Sequence, residues 1–396
     1  MNQSKNGVRV AIFSIGILLM GVVGIASGLA EIAHHFSEVS QTSIQLLITL
    51  PSVVIIFVNL VIGKVSAYLS NKILVLFGIL CFLVGGMLPA VLESFPAILV
   101  CRAILGVGIA IIQVLSTVLI AEYFSGEERT KMMGQLSSAQ MLGCAFMFFI
   151  SGHLALLGWN ITFYIHSFAL LSLICVTLFL PNKPPAQTTH HAKGATRATL
   201  TPAAFGWAAT TLLFFVGTMT LANYLAFFIT DQGLGTAIQA GQATMIFAIG
   251  GFLMGFSFEK LDRLAGKVSL AIGLVLGAMS FLVIAFSPNL PLLFLGNFLY
   301  GAAVTIVFAS IMMETSHCVA PQAVPLAMSI VIMGQNLGSF LCPYIISPLA
   351  SLLGTDINKY VFIATAIWFA VMATFALAWG LTKNQRRPAV QAAQAR

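Results

Sequence analysis

The chain has 396 residues, of which 59% are hydrophobic and only 7% charged, with a formal net charge of +7. A soluble domain carries about a quarter charged residues, so this composition excludes one. The positive excess fits the basic bias of cytoplasmic membrane loops, and its placement argues against a nucleic-acid partner. A helix needs about 20 apolar residues to span the hydrocarbon, where backbone groups must bond internally, so long apolar runs predict helices and not sheets. Twelve such runs follow one another, over residues 9–30, 44–62, 73–92, 97–120, 132–153, 159–180, 205–229, 239–257, 268–286, 292–313, 325–347 and 360–381.

The first segment, with its basic start and small residues, has the look of a secretory signal, but its removal would leave eleven helices and break the repeat described below. Residues 29–36, LAEIAHHF, close it on the outer side. Adjacent His34 and His35 would point about 100° apart on a helix, which suits a solvated loop better than a shared metal. All but two of the 18 lysines and arginines, namely Arg102 and Lys359, fall in alternate connections or the ends. That asymmetry predicts a multi-pass protein of the cell membrane with both termini cytoplasmic. Residues 181–204, rich in Pro, Thr and basic residues, read as a cytoplasmic linker whose His190 and His191 are too few for a metal tract. Residues 383–396 read as a polar, basic, disordered tail. The six cysteines show no paired spacing, so neither a disulfide framework nor a metal or other cofactor is implied.

A shift of 195 residues brings much of the chain back onto itself. Pro96 falls on Pro291, Arg102 on Asn297, Gly106 on Gly301, Gln140 on Gln335 and Gly143 on Gly338; Leu154, Ala155 and Leu157 fall on Leu349, Ala350 and Leu352. Duplication of this kind is common in secondary transporters. The expected fold is an all-α membrane protein of twelve transmembrane helices in two pseudo-symmetric six-helix bundles, over residues 1–180 and 205–382.

Three features make the chain resemble the major facilitator superfamily over nearly its whole length. The first is the two-times-six plan with a central cytoplasmic linker. The second is the connection after the second segment, GKVSAYLSNK, set against the family's Gly-x-x-x-Asp-Arg-x-Gly-Arg-Lys. Gly63 and Lys72 match it, while Ala67, Tyr68 and Ser70 depart. The equivalent stretch after the eighth segment keeps Gly255, Glu259, Lys260 and Arg263. The resemblance implies a conformational latch, with Glu122 as the acidic partner of Lys64 or Lys72; a glycine there would let helix ends approach closely. Solvated membrane-edge charge is the plainer alternative. The third feature is Arg102 with Gly106 and Gly108, resembling the Arg-x-x-x-Gly-x-Gly of the fourth segment. One departure stands out: the fifth segment reads GCAFMFFISG, so Met147 and Phe148 replace the Gly-Pro step of many family antiporters.

A charge in hydrocarbon costs at least about 2.5 kcal/mol, so Arg102 is expected to face a cavity or a partner, or else to snorkel outward. Gly106, Ile109, Gln113 and Ser116 or Thr117 continue its face. Glu31, at the outer end of the first segment, is its candidate partner and a candidate proton carrier, against the commoner case of a surface glutamate. In the second half Thr220, Asn223, Tyr224 and Phe227 share one face, and Asn297, Tyr300, Val304 and Phe308 another. These are candidate binding residues; the alternative is that they bond neighbouring helices.

Enzyme motifs and a P-loop are absent. The reading is a secondary active transporter moving a small organic solute by alternating access, with protons and the bilayer as its other partners, acting as a monomer. With 31 Phe and 16 Met, the chain suits a hydrophobic or amphipathic solute and proton-coupled efflux. Proton-coupled uptake of an organic anion on Arg102 is the alternative, and a non-transporting membrane receptor a remote one.

Overall fold

The computed structural model describes residues 2–66, 68–183, 200–320 and 323–394. Its helices are α1 (Asn2–Leu18), α2 (Leu29–His35), α3 (Gln41–Val65), α4 (Asn71–Met87), α5 (Phe95–Tyr123), α6 (Gly126–Leu157), α7 (Ala169–Phe179), α8 (Pro202–Asp231), α9 (Ala237–Ala265), α10 (Ser269–Ala285), α11 (Leu290–His317), α12 (Val324–Ser351) and α13 (Ile357–Gln394). Ten helical stretches are long and apolar enough to cross a membrane, and α10 is a shorter apolar helix. With the interrupted first segment they account for the twelve expected runs. Among the described residues there is no strand.

Helix starts follow the sequence. Ser70 caps α4 by accepting from the Ile73 amide at 3.3 Å, and Asn289 caps α11 by accepting from the Leu292 amide at 3.1 Å. Pro96 and Pro291, equivalent in the repeat, occupy the first turns of α5 and α11, where a missing N–H costs nothing.

Three expectations need correction. The first segment is not one helix over 9–30: α1 stops at Leu18, and the chain crosses residues 19–25 in tight turns before a 3-10 turn at Ala26–Gly28 and α2. Within the break the amides reach back three residues, Gly21 to Leu18, Val23 to Met20 and Ala26 to Val23. The local run Gly-Val-Val-Gly has low helix preference, and a Cβ at Gly21 would strike the Phe82 ring, so the close approach requires glycine. The sixth segment begins not as an α-helix but as a 3-10 turn, Ile161–Phe168, ahead of α7. The last helix continues to Gln394 where a disordered tail was expected; its alanines favour helix. The calls on His190, His191, Lys193 and Arg197 lie outside the described residues.

The chain divides into two compact units. One takes residues 1–197, 225–245 and 339–343; the other takes 198–224, 246–338 and 344–396. The 195-residue shift is visible inside each as matched packing. Gly143 abuts Ile17 and Gly338 abuts Leu212; Gly78 abuts Ile111 and Gly273 abuts Ile306; Gly106 abuts Pro51 and Gly301 abuts Phe247. In the first two of these pairs both partners are displaced by the same 195 positions, so the duplication extends from residues to contacts.

Candidate functional site

Arg102 lies on α5 with no solvent exposure, although it carries a full charge. Its neighbours explain how that is tolerated. Pro51 sits inside α3 and has no N–H, so the carbonyl four residues earlier, that of Leu47, lacks its helical donor. Arg102 Nε donates to that oxygen at 2.6 Å. Four residues on, Gly106 presents no side chain to Pro51 itself, so the Arg-x-x-x-Gly spacing of α5 is matched to the Leu-x-x-x-Pro spacing of α3. Arg102 Nη2 donates at 2.8 Å to the Val22 carbonyl, inside the break of the first segment. Two interruptions of helix at membrane depth, which lipid would leave unsatisfied, are thus closed by one guanidinium.

The third partner is His166. Its Nε2 lies 3.3 Å from Arg102 Nη1 and 3.2 Å from the Gly21 carbonyl, and its Nδ1 lies 2.9 Å from the Phe163 carbonyl. The ring is fully buried. Phe82 packs against it at 5.4 Å, and Gly86 leaves the space it occupies, since a Cβ there would strike the ring. Sequence reading passed over this residue.

The expected partner is elsewhere. The hydrogen bonds of Arg102 run to Leu47, Val22 and His166, while Glu31, half-buried on α2, lines a cleft of about 290 Å³ with His34, His35 and Trp159. His35 stacks on Trp159 with ring centroids 4.3 Å apart. Further along α5, Ser116 and Thr117 bond to carbonyls of their own helix, and Gln113 has a buried Oε1 without a hydrogen-bond partner.

Thr220, Asn223, Tyr224, Asn297 and Tyr300 are buried, while Val304 and Phe308 are partly exposed. Thr220 pairs with Thr365 at 2.9 Å, Tyr224 OH with Ser347 at 2.5 Å, and Asn223 donates to Met219 O. Asn297 donates to Leu293 O one turn back, leaving Oδ1 without a partner. Tyr300 lies among the rings of Phe247, Phe281 and Phe369, with the Phe281 centroid 4.4 Å away.

A family model described as Major Facilitator Superfamily matches residues 11–261 and 239–395. The chain belongs to the major facilitator superfamily. A curated relative, the uncharacterized MFS-type transporter YceJ of Bacillus subtilis (strain 168), is 26% identical over 276 residues, covering 66% of this chain and 68% of that protein. Among solved structures, a bacterial homolog of the human lysosomal transporter Spinster, inward-facing and occupied, matches with a TM-score of 0.74 at 15% identity, covering 94% of this chain and 96% of its own. A D-xylose-proton symporter matches with a TM-score of 0.74 at 16% identity, covering 93% and 96% of the two chains. A POT family transporter in complex with a thioalcohol-conjugated peptide gives 0.78 at 10% identity, covering 96% of each. These likenesses are of fold. The protein is a multi-pass membrane transporter of the superfamily, not an enzyme.

The latch resemblance falls on the connection between α3 and α4, where Lys72, one of the two expected partners of Glu122, bonds elsewhere. Glu122 accepts from Asn71 at 2.8 Å and from Lys183 at 3.0 Å, while Lys72 donates to Thr177 O at 2.7 Å. Lys183 also lies 3.7 Å from the centroid of the Tyr123 ring. Burial works against its ammonium, but Glu122 and Tyr123 hold it above the ordinary lysine range. The side chain of Lys64 and residue Ala67 lie outside the described parts. At Gly63 and Gly255 an added Cβ would meet nothing within 4 Å, so close helix approach is not why glycine stands there. In the second half, Arg263 pairs with Glu259 at 2.6 Å across one helical turn, with both side chains more than three-quarters exposed, and Lys260 is exposed beside them.

Proposed function

We propose that the protein is a proton-coupled exporter of a small hydrophobic or amphipathic organic solute. It lies in the cell membrane with both termini cytoplasmic and works by alternating access. The observation that carries the choice of solute is the state of Arg102. Its hydrogen bonds go to two backbone carbonyls and a histidine, so this guanidinium is already engaged and is a poor receptor for an organic anion. A second-half candidate supports the same reading: Tyr300 is buried beside the rings of Phe247 and Phe281, surroundings suited to an apolar solute.

The test is accumulation of labelled small organic compounds in cells that express the chain, with and without a proton uncoupler. Export predicts that the uncoupler raises internal levels only where the chain is present. A fall instead would replace export with uptake, and no response would remove proton coupling.

A further inference from the structure

The geometry points to His166 as the residue that positions Arg102 according to its own protonation, so that a proton on Nε2 and the present seat of the guanidinium exclude one another. The inference rests on the proton-coupled reading above and names where the proton acts. In the neutral ring the proton sits on Nδ1 and is donated to Phe163 O at 2.9 Å, leaving the Nε2 lone pair to accept from Arg102 Nη1 at 3.3 Å. When Nε2 takes a proton from hydronium, one N–H bond forms, one O–H bond breaks and a neutral water is released. The new N–H has an acceptor ready, Gly21 O at 3.2 Å, but the ring can no longer accept from Arg102. Two cations then face each other in a buried site, where their repulsion is far stronger than in water. The arginine is driven off, and with it go the bonds to Val22 O and Leu47 O that hold the break in the first segment and the Pro51 turn of α3. Proton binding is thereby tied to a segment that is already unwound inside an apolar run.

The surroundings leave Arg102 as the charged side chain facing the ring. From α4 come Phe82 and Gly86, from the broken segment Gly21 O, and from the ring's own turn Phe163 O. The other titratable groups on the elements packed here are Cys81 on α4, Cys101 on α5, Cys144 and His153 on α6, Cys175 on α7, and Tyr164 in the turn. His153 turns to Phe149 O, on its own helix. Lys72 on α4, Glu122 and Tyr123 on α5, and Glu127, Glu128, Arg129 and Lys131 on α6 lie about 15 Å or more along their helices from this level, at about 1.5 Å per residue. Glu31 stands ten residues beyond Gly21, in the cleft with Trp159.

The experiment is a pH titration of the full chain in lipid nanodiscs with nitrogen-15 in its histidine and arginine side chains, His166→Gln assigning the ring signal. The expected result is a neutral ring with its proton on Nδ1 at alkaline pH, and an imidazolium on acidification from about pH 8 down to the lowest pH at which the chain stays folded. Exchange of the Arg102 side-chain protons should speed at least tenfold through the same midpoint. In Arg102→Gln the midpoint should rise by about one pH unit or more, a tenfold gain in proton affinity. A ring that stays neutral over that range, or Arg102 exchange that ignores the midpoint, overturns the inference. The wild-type comparison decides alone if Arg102→Gln does not fold. A transport arm separates this inference from the reading beneath it. If the ring and Arg102 titrate together while transport ignores the uncoupler, proton coupling fails and the switch stands. If export responds to the uncoupler and His166→Gln keeps the wild-type pH profile, the positioning role fails and the export reading stands.

Discussion

Arg102 and Asn297 occupy the same place in the two halves, yet one carries a charge through hydrocarbon and the other an amide turned back on its own helix. What differs is the supply of acceptors around each. In the first half Pro51 leaves Leu47 O free and the break at residues 19–25 leaves Val22 O free, and Arg102 reaches both. In the second half the position equivalent to Pro51 is Ile246, and the helix equivalent to the broken segment, α8, runs from Pro202 to Asp231 without interruption. Without an internal proline or a break, neither helix frees a carbonyl in the way Pro51 does, and Asn297 donates to Leu293 O. The pocket that holds His166 is also replaced: Gly86 corresponds to Phe281 and His166 to Val361, and the space is filled by the rings of Phe281, Tyr300, Phe362 and Phe369. The comparison teaches that the arginine goes with the interrupted backbone and is not an isolated charge awaiting a counterion.

The sharpest way to break this account is to move the charge. Asn297→Arg places a guanidinium at a buried position where neither α8 nor α9 is interrupted to free a carbonyl, at a cost of at least about 2.5 kcal/mol for the charge and about 1–3 kcal/mol more for overpacking. The chain should be nearly lost from the membrane fraction, and wild-type abundance would show that acceptor supply is not what admits Arg102. Next in size is Arg102→Ala, which orphans two buried carbonyls at roughly 1–3 kcal/mol each. Both transport and the thermal unfolding midpoint should fall. Adding Pro51→Ala gives Leu47 O a helical donor again, so the double variant should recover at least about 0.5 kcal/mol relative to the sum of the singles. Strict additivity would mean that Arg102 does not serve that carbonyl. Gly86→Ala comes third: its Cβ would strike the His166 ring, and about 1–3 kcal/mol of overpacking is expected, read as a lower unfolding midpoint. An unchanged midpoint would show that the ring has room to move.

Much of this was legible in the residues, and what was missed has physical reasons. Length and apolarity mark each spanning stretch, and the 195-residue shift survives as paired glycine contacts because a glycine chosen for close approach admits no substitute. Arg102 stood out because charge in lipid is costly. The break at residues 19–25 was invisible to hydropathy, since Gly and Val are apolar whether or not they are helical. Glu31 was chosen as partner by looking for an opposite charge, when the available acceptors were backbone oxygens. A signal for one of these was present: a proline inside an apolar run always frees the carbonyl four residues before it, and Pro51 points to Leu47 on that rule alone. His166 carries no comparable mark, because its 64-residue separation from Arg102 is closed only by the packing of its 3-10 turn on α4.

The smallest expected effect lies in the charge clusters near the helix ends, where the halves differ again. Glu122 has a side chain 24% exposed and is held by Asn71 and Lys183, so it ties the start of α4 and the chain beyond α7 to the end of α5. Glu259 is 76% exposed and pairs with Arg263 on the same helix, so it ties nothing together. Arg263→Ala should therefore change the unfolding midpoint by no more than about 0.5 kcal/mol allows, the range of exposed pairs one helical turn apart. Glu122→Gln should cost more, though still within about 1 kcal/mol because Lys183 is half exposed. pH separates the two clusters further. Lys183 has a raised value when folded, so its contribution is complete below the ordinary lysine value of 10.5 and disappears as pH rises through the raised one. Wild-type chain should lose its margin over Glu122→Gln in that alkaline window, and a margin that persists there would mean that Glu122 acts through Asn71 alone.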